Sequence, residues 1–208
     1  MSALQFDVTP PDQRDRVSVL LRIIFAIPHL IVAQVWGYLA QILALVQWFI
    51  VLFTGKRNQG IWNMQHQWLE YYGRVFAYVD LLFDKPYPPF GTDAGTVPVT
   101  QSLAYEEPAN RLTNALRLIW VIPAAIISGL LSIAATVVVV ISWFAILFTG
   151  KQPAGMYAFV LKVVRYVLQT QAYGLLLTDT YPKYAGARGR APAARLDEST
   201  LTLNALKI

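Results

Sequence analysis

The sequence predicts an all-α integral membrane protein made of two tandem repeats, with four spans and pseudo-two-fold symmetry. Each repeat is expected to form a transmembrane helical hairpin followed by an amphipathic interfacial helix. Three observations lead to this prediction: an excess of apolar residues, an internal repeat and two long uncharged windows. Of the 208 residues, 56% are hydrophobic and 14% are charged, whereas soluble domains have about 45–50% and about 25%. This composition excludes a disordered chain and disfavours an ordinary soluble enzyme.

The net charge is +5 and the chain has no cysteine. Disulfide frameworks, thiolate metal sites and nucleophilic cysteines are therefore excluded. No basic stretch is dense enough for a nucleic-acid footprint, so we interpret the excess charge as cationic loops that set membrane orientation. Residues 1–16 do not have the pattern of a signal peptide. We expect them to form a short cytoplasmic segment before the first membrane helix.

Identical residues recur at a fixed offset of 95 positions, and the match needs no gap from Arg16 to Asp84. The longest identical run is Leu52-Phe53-Thr54-Gly55-Lys56, which recurs at residues 147–151. Such self-similarity indicates a tandem duplication. We assign repeat one to residues 16–90, a linker rich in proline and glycine to 91–110, repeat two to 111–185, and a basic C-terminal tail to 186–208.

Each repeat contains 33 consecutive residues without a formal charge, between Arg22 and Lys56 and between Arg117 and Lys151. One helix of that length would measure about 50 Å, but a bilayer core is about 30 Å thick. We therefore expect a hairpin in each window, and the alternative is one long, tilted helix kinked at a proline. Both arginines are then expected to reach lipid headgroups. The predicted helices are Val17–Gln34, Gly37–Phe53, Leu112–Ser128 and Leu130–Phe148.

A third segment follows each window, at Ile61–Phe83 and Met156–Thr178. Each has one polar helical face and is rich in Trp and Tyr elsewhere, which is typical of a helix in the membrane interface. The rival interpretation is a third spanning helix. Two spans per repeat place every charged residue on one side, so the positive-inside rule favours the interfacial helix. We expect both termini and the linker in the cytoplasm.

A motif in repeat two runs from Trp143-Phe144 through Leu147-Phe148-Thr149-Gly150-Lys151 to Arg165-Tyr166 and the segment from Ala172 to Pro182. It resembles a bacterial membrane family, the domain of unknown function 4389, which is present here twice. Repeat one departs from it at Asn58, Glu70 and Phe83, and its ending from Asp84 to Phe90 carries one extra residue. The resemblance implies a multi-pass protein of the bacterial inner membrane, of actinobacterial type. It implies no catalytic residue.

Candidate contacts to lipid headgroups or partners are cationic: Lys56, Arg57, Lys151, Lys162 and Arg165. Glu70 and Arg165 occupy equivalent positions with opposite charge, so we consider an ion pair between the repeats. The alternative is that Glu70 pairs with Arg74 one turn on. His29 and His66 are not repeated, and we interpret them as ordinary polar packing. We predict no metal, no cofactor and no catalytic residue.

The first functional hypothesis is a non-enzymatic membrane protein, an accessory or scaffold subunit of a larger complex. It would dock partner proteins or anionic lipid at the cytoplasmic face. The alternative is a small transporter or channel for a lipid or another apolar substrate. An intramembrane enzyme is the least supported, because the sequence has no recognisable catalytic set.

Overall fold

The computed structural model describes residues 4–11, 14–93 and 95–184. The predicted C-terminal tail, 186–208, lies outside these residues. The fold is mostly helical, but the all-α prediction is wrong because the N-terminal segment and the linker pair as a two-stranded antiparallel sheet. The elements in chain order are β1 (Gln5–Val8), α1 (Arg16–Thr54), α2 (Gln59–Val79), β2 (Val99–Ser102), α3 (Arg111–Thr149) and α4 (Ala154–Gly174).

The predicted hairpins are wrong: each uncharged window, apart from its final glycine, lies within one continuous helix of 39 residues. Gly37 and Gly129, near the predicted turns, are helical, and Pro28 and Pro123 lie inside the helices. The reason is α2, which runs antiparallel along α1. Their hydrogen bonds extend from the backbone N–H of Asn58, donated to Gln47, to the Arg22 guanidinium, donated to the Tyr78 carbonyl. A turn in mid-window would separate half of α1 from this partner.

Small residues on one face of α1 allow α2 to approach closely. The Trp68 indole N–H donates to the Ala33 carbonyl at 2.9 Å, and a Cβ added at Gly37 would lie 3.2 Å from the same ring. A larger side chain at position 37 would therefore push the helices apart. The buried face repeats at a spacing of three, four or seven residues, typical of a packed helix: Val19, Arg22, Ala26, His29, Ala33, Gly37, Ala40, Gln47 and Val51.

The end of each long helix is set by the Thr-Gly-Lys turn. Gly55 and Gly150 both have φ of 73°, and their N–H groups donate to Val51 and Ile146. This left-handed conformation favours glycine and ends a helix. The hydroxyls of Thr54 and Thr149 accept from the backbone N–H two residues on and so fix the exit of the chain.

The sheet packs on the middle of α2 and α4, on the side away from α1 and α3. The ring of Phe6 lies 3.2 Å from the point where a Cβ on Gly73 would stand, and Leu168 of α4 lies 3.4 Å from it. The Tyr157 hydroxyl donates to the Val8 carbonyl. The molecule thus has three layers: the long helices, the shorter helices and the sheet.

The outer layer is apolar and uncovered. All but four of the exposed large hydrophobic side chains lie on α1 and α3. By length and composition these two helices, and no others among the described residues, are apolar enough to cross a membrane. The candidate spans therefore number two instead of the predicted four.

The two repeats contact each other reciprocally. The indole N–H of Trp48 donates to the Asn114 carbonyl, and the indole N–H of Trp143 donates to the Val19 carbonyl. Trp48 and Trp143 are equivalent positions, and so are Val19 and Asn114. The C-terminal end of each long helix thus meets the N-terminal end of the other, so α1 and α3 are antiparallel with an approximate two-fold relation.

Candidate functional site

The most polar part of the interior is a pair of buried ion-pair clusters, one at each end of the antiparallel pair α1–α3. The first centre comprises Arg14, Arg22, Tyr78, Asp84 and Gln152. The second centre comprises Arg57, Arg117, Tyr173 and Asp179. Arg22 and Arg117 are equivalent, as are Asp84 and Asp179, and each arginine pairs with its aspartate 62 residues later. Each repeat therefore carries the same clamp between the start of its long helix and the end of its short one.

The clamp depends on how the short helix ends. Leu81 and Leu176 have φ of 60° and 61°, and the N–H groups of Leu82 and Leu177 reach back to the carbonyls of Ala77 and Ala172. A left-handed residue with this bonding pattern turns the chain sharply. A leucine there costs about 1–2 kcal/mol, which its burial against the long helices offsets. The turn directs the following aspartate at the arginine.

In the first centre, Arg22 donates to Asp84 at 2.6 Å and to the Tyr78 carbonyl at 2.6 Å, and its guanidinium lies 4.5 Å from the Tyr78 ring centroid. Arg14, from the N-terminal segment, donates to Asp84 at 3.2 Å and also to the side-chain oxygen of Gln152. Burial lowers the pKa of Arg14, and the neighbouring carboxylate opposes this effect. Gln152 comes from repeat two, so this centre joins both repeats and the N-terminal segment.

In the second centre, Arg117 donates to Asp179 and to the carbonyls of Tyr173 and Thr178, with its guanidinium 4.4 Å from the Tyr173 ring centroid. Arg57, from repeat one, also donates to Asp179. The second oxygen of Asp179 accepts the backbone N–H of Asn110, the residue that caps α3. This carboxylate therefore joins two arginines and a helix start.

The guanidinium of Arg57 also bonds to the linker. Its Nη1 donates to the carbonyls of Glu106 and Pro108 at 2.9 Å, and its Nε donates to the Leu176 carbonyl at 2.7 Å. Arg57 is equivalent to Gln152, so each repeat sends the same position into the centre of the other repeat. Such closed sets of ion pairs and carbonyl contacts hold elements together.

One prediction about these residues is wrong, and one pairing was not predicted at all. Arg22 and Arg117 do not reach for headgroups, because each is buried against its aspartate. Asp84 and Asp179 were not predicted as their partners, although all four residues recur in register. That shared register, with the same separation in both repeats, was the signal that sequence reasoning missed.

The predicted cationic contacts divide into exposed and occupied residues. Lys56 is exposed and lies 3.3 Å from Glu107, and Lys151 is exposed at the opposite end of the helix pair. The Lys162 ammonium is exposed and lies 4.2 Å from the Tyr184 ring centroid. Arg57 is buried in the second centre, which removes it from any lipid surface.

The predicted pair of Glu70 with Arg165 is not formed. Arg165 donates to the Phe6 carbonyl at 2.7 Å and to Asp7 at 2.8 Å, so it holds the sheet. Glu70 lies 4.0 Å from His66 on its own helix. Equivalence between repeats does not place two side chains on the two-fold axis. Gly73 and Leu168, another equivalent pair, meet there instead.

Both histidines lie among aromatic rings. His29 is fully buried, its Nδ1 is 2.7 Å from the Tyr71 hydroxyl, and its ring stacks on Phe90. His66 stacks on Trp62 at 4.6 Å between centroids.

The extra residue of repeat one lies between Asp84 and Tyr87. Beyond it the repeats match again, because Tyr87 and Tyr181 make the same edge contacts with the equivalent Tyr78 and Tyr173.

Asp80, at the end of α2, lines a small cavity of about 70 Å³ with Tyr72, Ser132 and Thr136. Burial raises the pKa of Asp80 to about 7. The equivalent position in repeat two is Leu175, so the carboxyl belongs to one repeat only.

Comparison with known proteins gives one match. Residues 16–91 and 111–185, more than half of the chain, each match the model of the family described as "Domain of unknown function (DUF4389)". No curated protein and no solved structure matches the chain. The tandem repeat predicted from the sequence is thereby confirmed.

Proposed function

The chain belongs to the family of the domain of unknown function 4389, which it carries twice, and from this premise we propose that it is a non-enzymatic membrane scaffold of the bacterial inner membrane. Its apolar outer layer contacts lipid, and its polar inner layers dock partner proteins in the cytoplasm. The observation that carries the proposal is the segregation of exposed apolar side chains onto α1 and α3. Monomeric soluble proteins rarely expose a contiguous apolar surface of this extent.

The ion-pair centres support a structural role. Each aspartate is shared between two arginines, and Arg22, Arg57 and Arg117 also donate to backbone carbonyls. The second oxygen of each carboxylate accepts a backbone N–H group, from Asp15 or from Asn110, so neither aspartate has an oxygen directed at a substrate as a general base would. The centres join the two repeats, the N-terminal segment and the linker into one platform.

The polar side supplies the docking surface. Asn63, Met64 and Gln67 are exposed on α2, and Lys162 is exposed on α4. Lys56 and Lys151 are exposed at the two ends of the long helices. Cationic side chains at the edge of an apolar face also favour anionic headgroups, so lipid charge contributes to the attachment.

Fractionation tests the membrane contact. Ile24→Lys combined with Ile119→Lys places two charges on equivalent outward positions, and we expect the protein to leave the membrane fraction after a carbonate wash. Met64→Lys, on the polar side, is the matched control and should stay with the membrane. A wild-type protein in the soluble fraction, or equal behaviour of the two variants, would contradict the lipid contact.

Gentle purification from native membranes tests the scaffold role. We expect a stoichiometric complex with at least one other protein, which a Met64→Lys or Gln67→Lys variant releases. A protein that purifies alone and moves lipid between leaflets of liposomes would favour a transporter instead.

A further inference from the structure

The shorter helices lie beside the long helices over most of their length. In repeat one, the contacts between α1 and α2 run from Arg22 with Tyr78, through Ala33 with Trp68, to Gln47 with Asn58. In repeat two, they run from Arg117 with Tyr173, through Ser128 with Thr170, to Ser142 with Met156. Any depth that α1 and α3 reach in a membrane is therefore also reached by the layers packed on them.

The sheet is level with the middle of the long helices. Phe6 lies against Gly73, and Arg165 holds Phe6 and Asp7. Gln5, Thr100 and Ser102 of the strands are exposed. A two-stranded sheet has an unpaired edge on each strand, and unpaired backbone groups are not tolerated in lipid hydrocarbon. Long helices that crossed the bilayer would carry this sheet and the Asp7–Arg165 pair to its centre.

The length of the long helices also argues against an orientation in which they cross the bilayer. A helix of 39 residues measures about 58 Å, nearly twice the hydrocarbon thickness of about 30 Å. A helix lying flat has no such mismatch, because its diameter of about 10 Å is less than the roughly 15 Å of one leaflet.

The exposed arc of α1 identifies lipid, and not a second copy of the chain, as the covering partner. Ile23 and Leu30 are exposed on one flank, Phe25 and Val32 on the other, and Ile24 between them. At 100° per residue these positions span roughly 200° of the helix circumference. A second protein layer would cover the outward side alone, whereas acyl chains surround both flanks as well.

We infer that α1 and α3 lie flat in one leaflet, parallel to the membrane plane, with α2, α4 and the sheet facing the water. Both ion-pair centres then lie at the same depth, at the two ends of the submerged helix pair. The protein is monotopic and crosses the bilayer nowhere within the described residues. This inference rests on the membrane contact proposed above, and it names the orientation of that contact.

Spin-label depth measurements test it, and the absence of cysteine makes single labelling straightforward. Five outward positions along α1, each more than half exposed, are changed one at a time to cysteine in the full chain: Val17, Ile24, Val35, Ile42 and Phe53. The equivalent series on α3 repeats the measurement if any of these variants misfolds: Leu112, Ile119, Leu130, Val137 and Phe148. Thr100→Cys, on the sheet, is the control. The labelled proteins are reconstituted in vesicles of phosphatidylethanolamine and phosphatidylglycerol, and collisions with oxygen and with a water-soluble nickel chelate give the depth.

We expect all five labels on one helix to lie at the same depth, within a few ångströms, and the Thr100 label to be in water. A depth that rises from both ends to a maximum at Val35, by about 15 Å, would overturn the flat orientation and leave the membrane contact standing. Labels in contact with nickel at every position would overturn both proposals. Labels shielded from both reagents would show that a second copy covers the face, which overturns the lipid occupant.

Discussion

The two ion-pair centres are built on the same clamp, but they recruit different third groups. In the first centre the extra arginine is Arg14, from the N-terminal segment, and the position sent across from the other repeat is Gln152. In the second centre the position sent across is itself an arginine, Arg57. Lys85 and Asp15 form an additional exposed ion pair beside the first centre.

This difference shows which parts of the clamp each repeat can vary. The pairing of the long-helix arginine with the aspartate is common to both repeats. It therefore joins the start of the long helix to the end of the short helix in each repeat. The second cation of each centre is supplied by a different chain segment, the N-terminal segment in the first centre and repeat one in the second. The second centre joins the repeats through a buried charge, and the first joins them through an amide. We therefore expect the second centre to contribute more to the association of the two repeats.

The largest expected effect comes from removing the shared carboxylate. Asp179→Asn leaves Arg57 and Arg117 buried without a counter-charge, and should cost about 3–5 kcal/mol of unfolding free energy. Asp84→Asn is the matched change, and we expect a smaller loss because the contact of Arg14 with Asp84, at 3.2 Å, is longer than that of Arg57 with Asp179. Unfolding in detergent micelles, followed by circular dichroism, measures both. An Asp84→Asn loss as large as that of Asp179→Asn would mean that the centres are equivalent.

The second-largest effect distinguishes Arg57 from Gln152, the equivalent residues that each contact the ion-pair centre of the other repeat. Arg57→Gln gives the second centre the residue that the first centre has, and it removes donors to the carbonyls of Glu106, Pro108 and Leu176. We expect a loss of about 3 kcal/mol in the same unfolding assay. Gln152→Ala should cost less than about 1 kcal/mol. Equal losses would show that the crossing position matters by its packing and not by its charge.

Position 80 gives a contrast between the repeats that depends on pH. The pKa of Asp80 is raised to about 7, so the folded protein retains this proton where the unfolded chain has already lost it. Stability should therefore fall as the pH rises from about 4 to about 7 and then level off. Asp80→Asn does not titrate, and it should be more stable than the wild type by about 2 kcal/mol at pH 8.

The pH profile of this variant is the test. The gain from Asp80→Asn in thermal unfolding should shrink as the pH is lowered from 8 to 5. Thr100→Ala, at an exposed position of the sheet, is the control and should show no such trend, because neither side chain titrates. A gain that is constant with pH would mean that Asp80 is already neutral or fully solvated over this range.

The smallest effect is expected at Lys56, the residue beside Arg57. Lys56 and Glu107 are both more than half exposed, and exposed ion pairs are worth about 0–1 kcal/mol. A double-mutant cycle with Lys56→Ala and Glu107→Ala should give a coupling energy below about 0.5 kcal/mol. A larger value would indicate that the Thr-Gly-Lys turn shares the energetics of the second centre.

The sequence predicted the features that depend on local chemistry or on identity between the repeats. The tandem repeat is of this kind, and so are the ends of α1 and α3, which were predicted at Phe53 and Phe148 and lie one residue later. The hairpin prediction failed because it took bilayer thickness as the limit on helix length, whereas α2 and α4 set that length by packing alongside. The residues of the 33-residue windows do not by themselves indicate that a second helix packs alongside. The sheet was missed because two strands of four residues are too short to show an alternating pattern.

Among the residues of the two ion-pair centres, Arg57 alone was a predicted candidate contact, and its partner was not predicted. Arg57 and Arg165 form ion pairs in the structure, but with Asp179 and Asp7 instead of lipid or Glu70. Which carboxylate meets which arginine depends on the turn after each short helix, and a left-handed leucine there has no sequence signal. The arginines and aspartates recur at equivalent positions in both repeats with the same separation. Aligning the repeats therefore narrows the set of carboxylates that could pair with each arginine.

The reciprocal tryptophan contacts have a consequence for how this chain can change. Trp48 and Trp143 make the same bond across the molecule, which is the contact pattern of a symmetric homodimer. In a homodimer, any substitution at one interface position appears at both copies of the interface. Joining the subunits in one chain removes that constraint, and it also makes their association independent of protein concentration. A fused dimer can therefore hold an arginine at one copy of a position and a glutamine at the other, and each half can specialise while the other maintains the pairing.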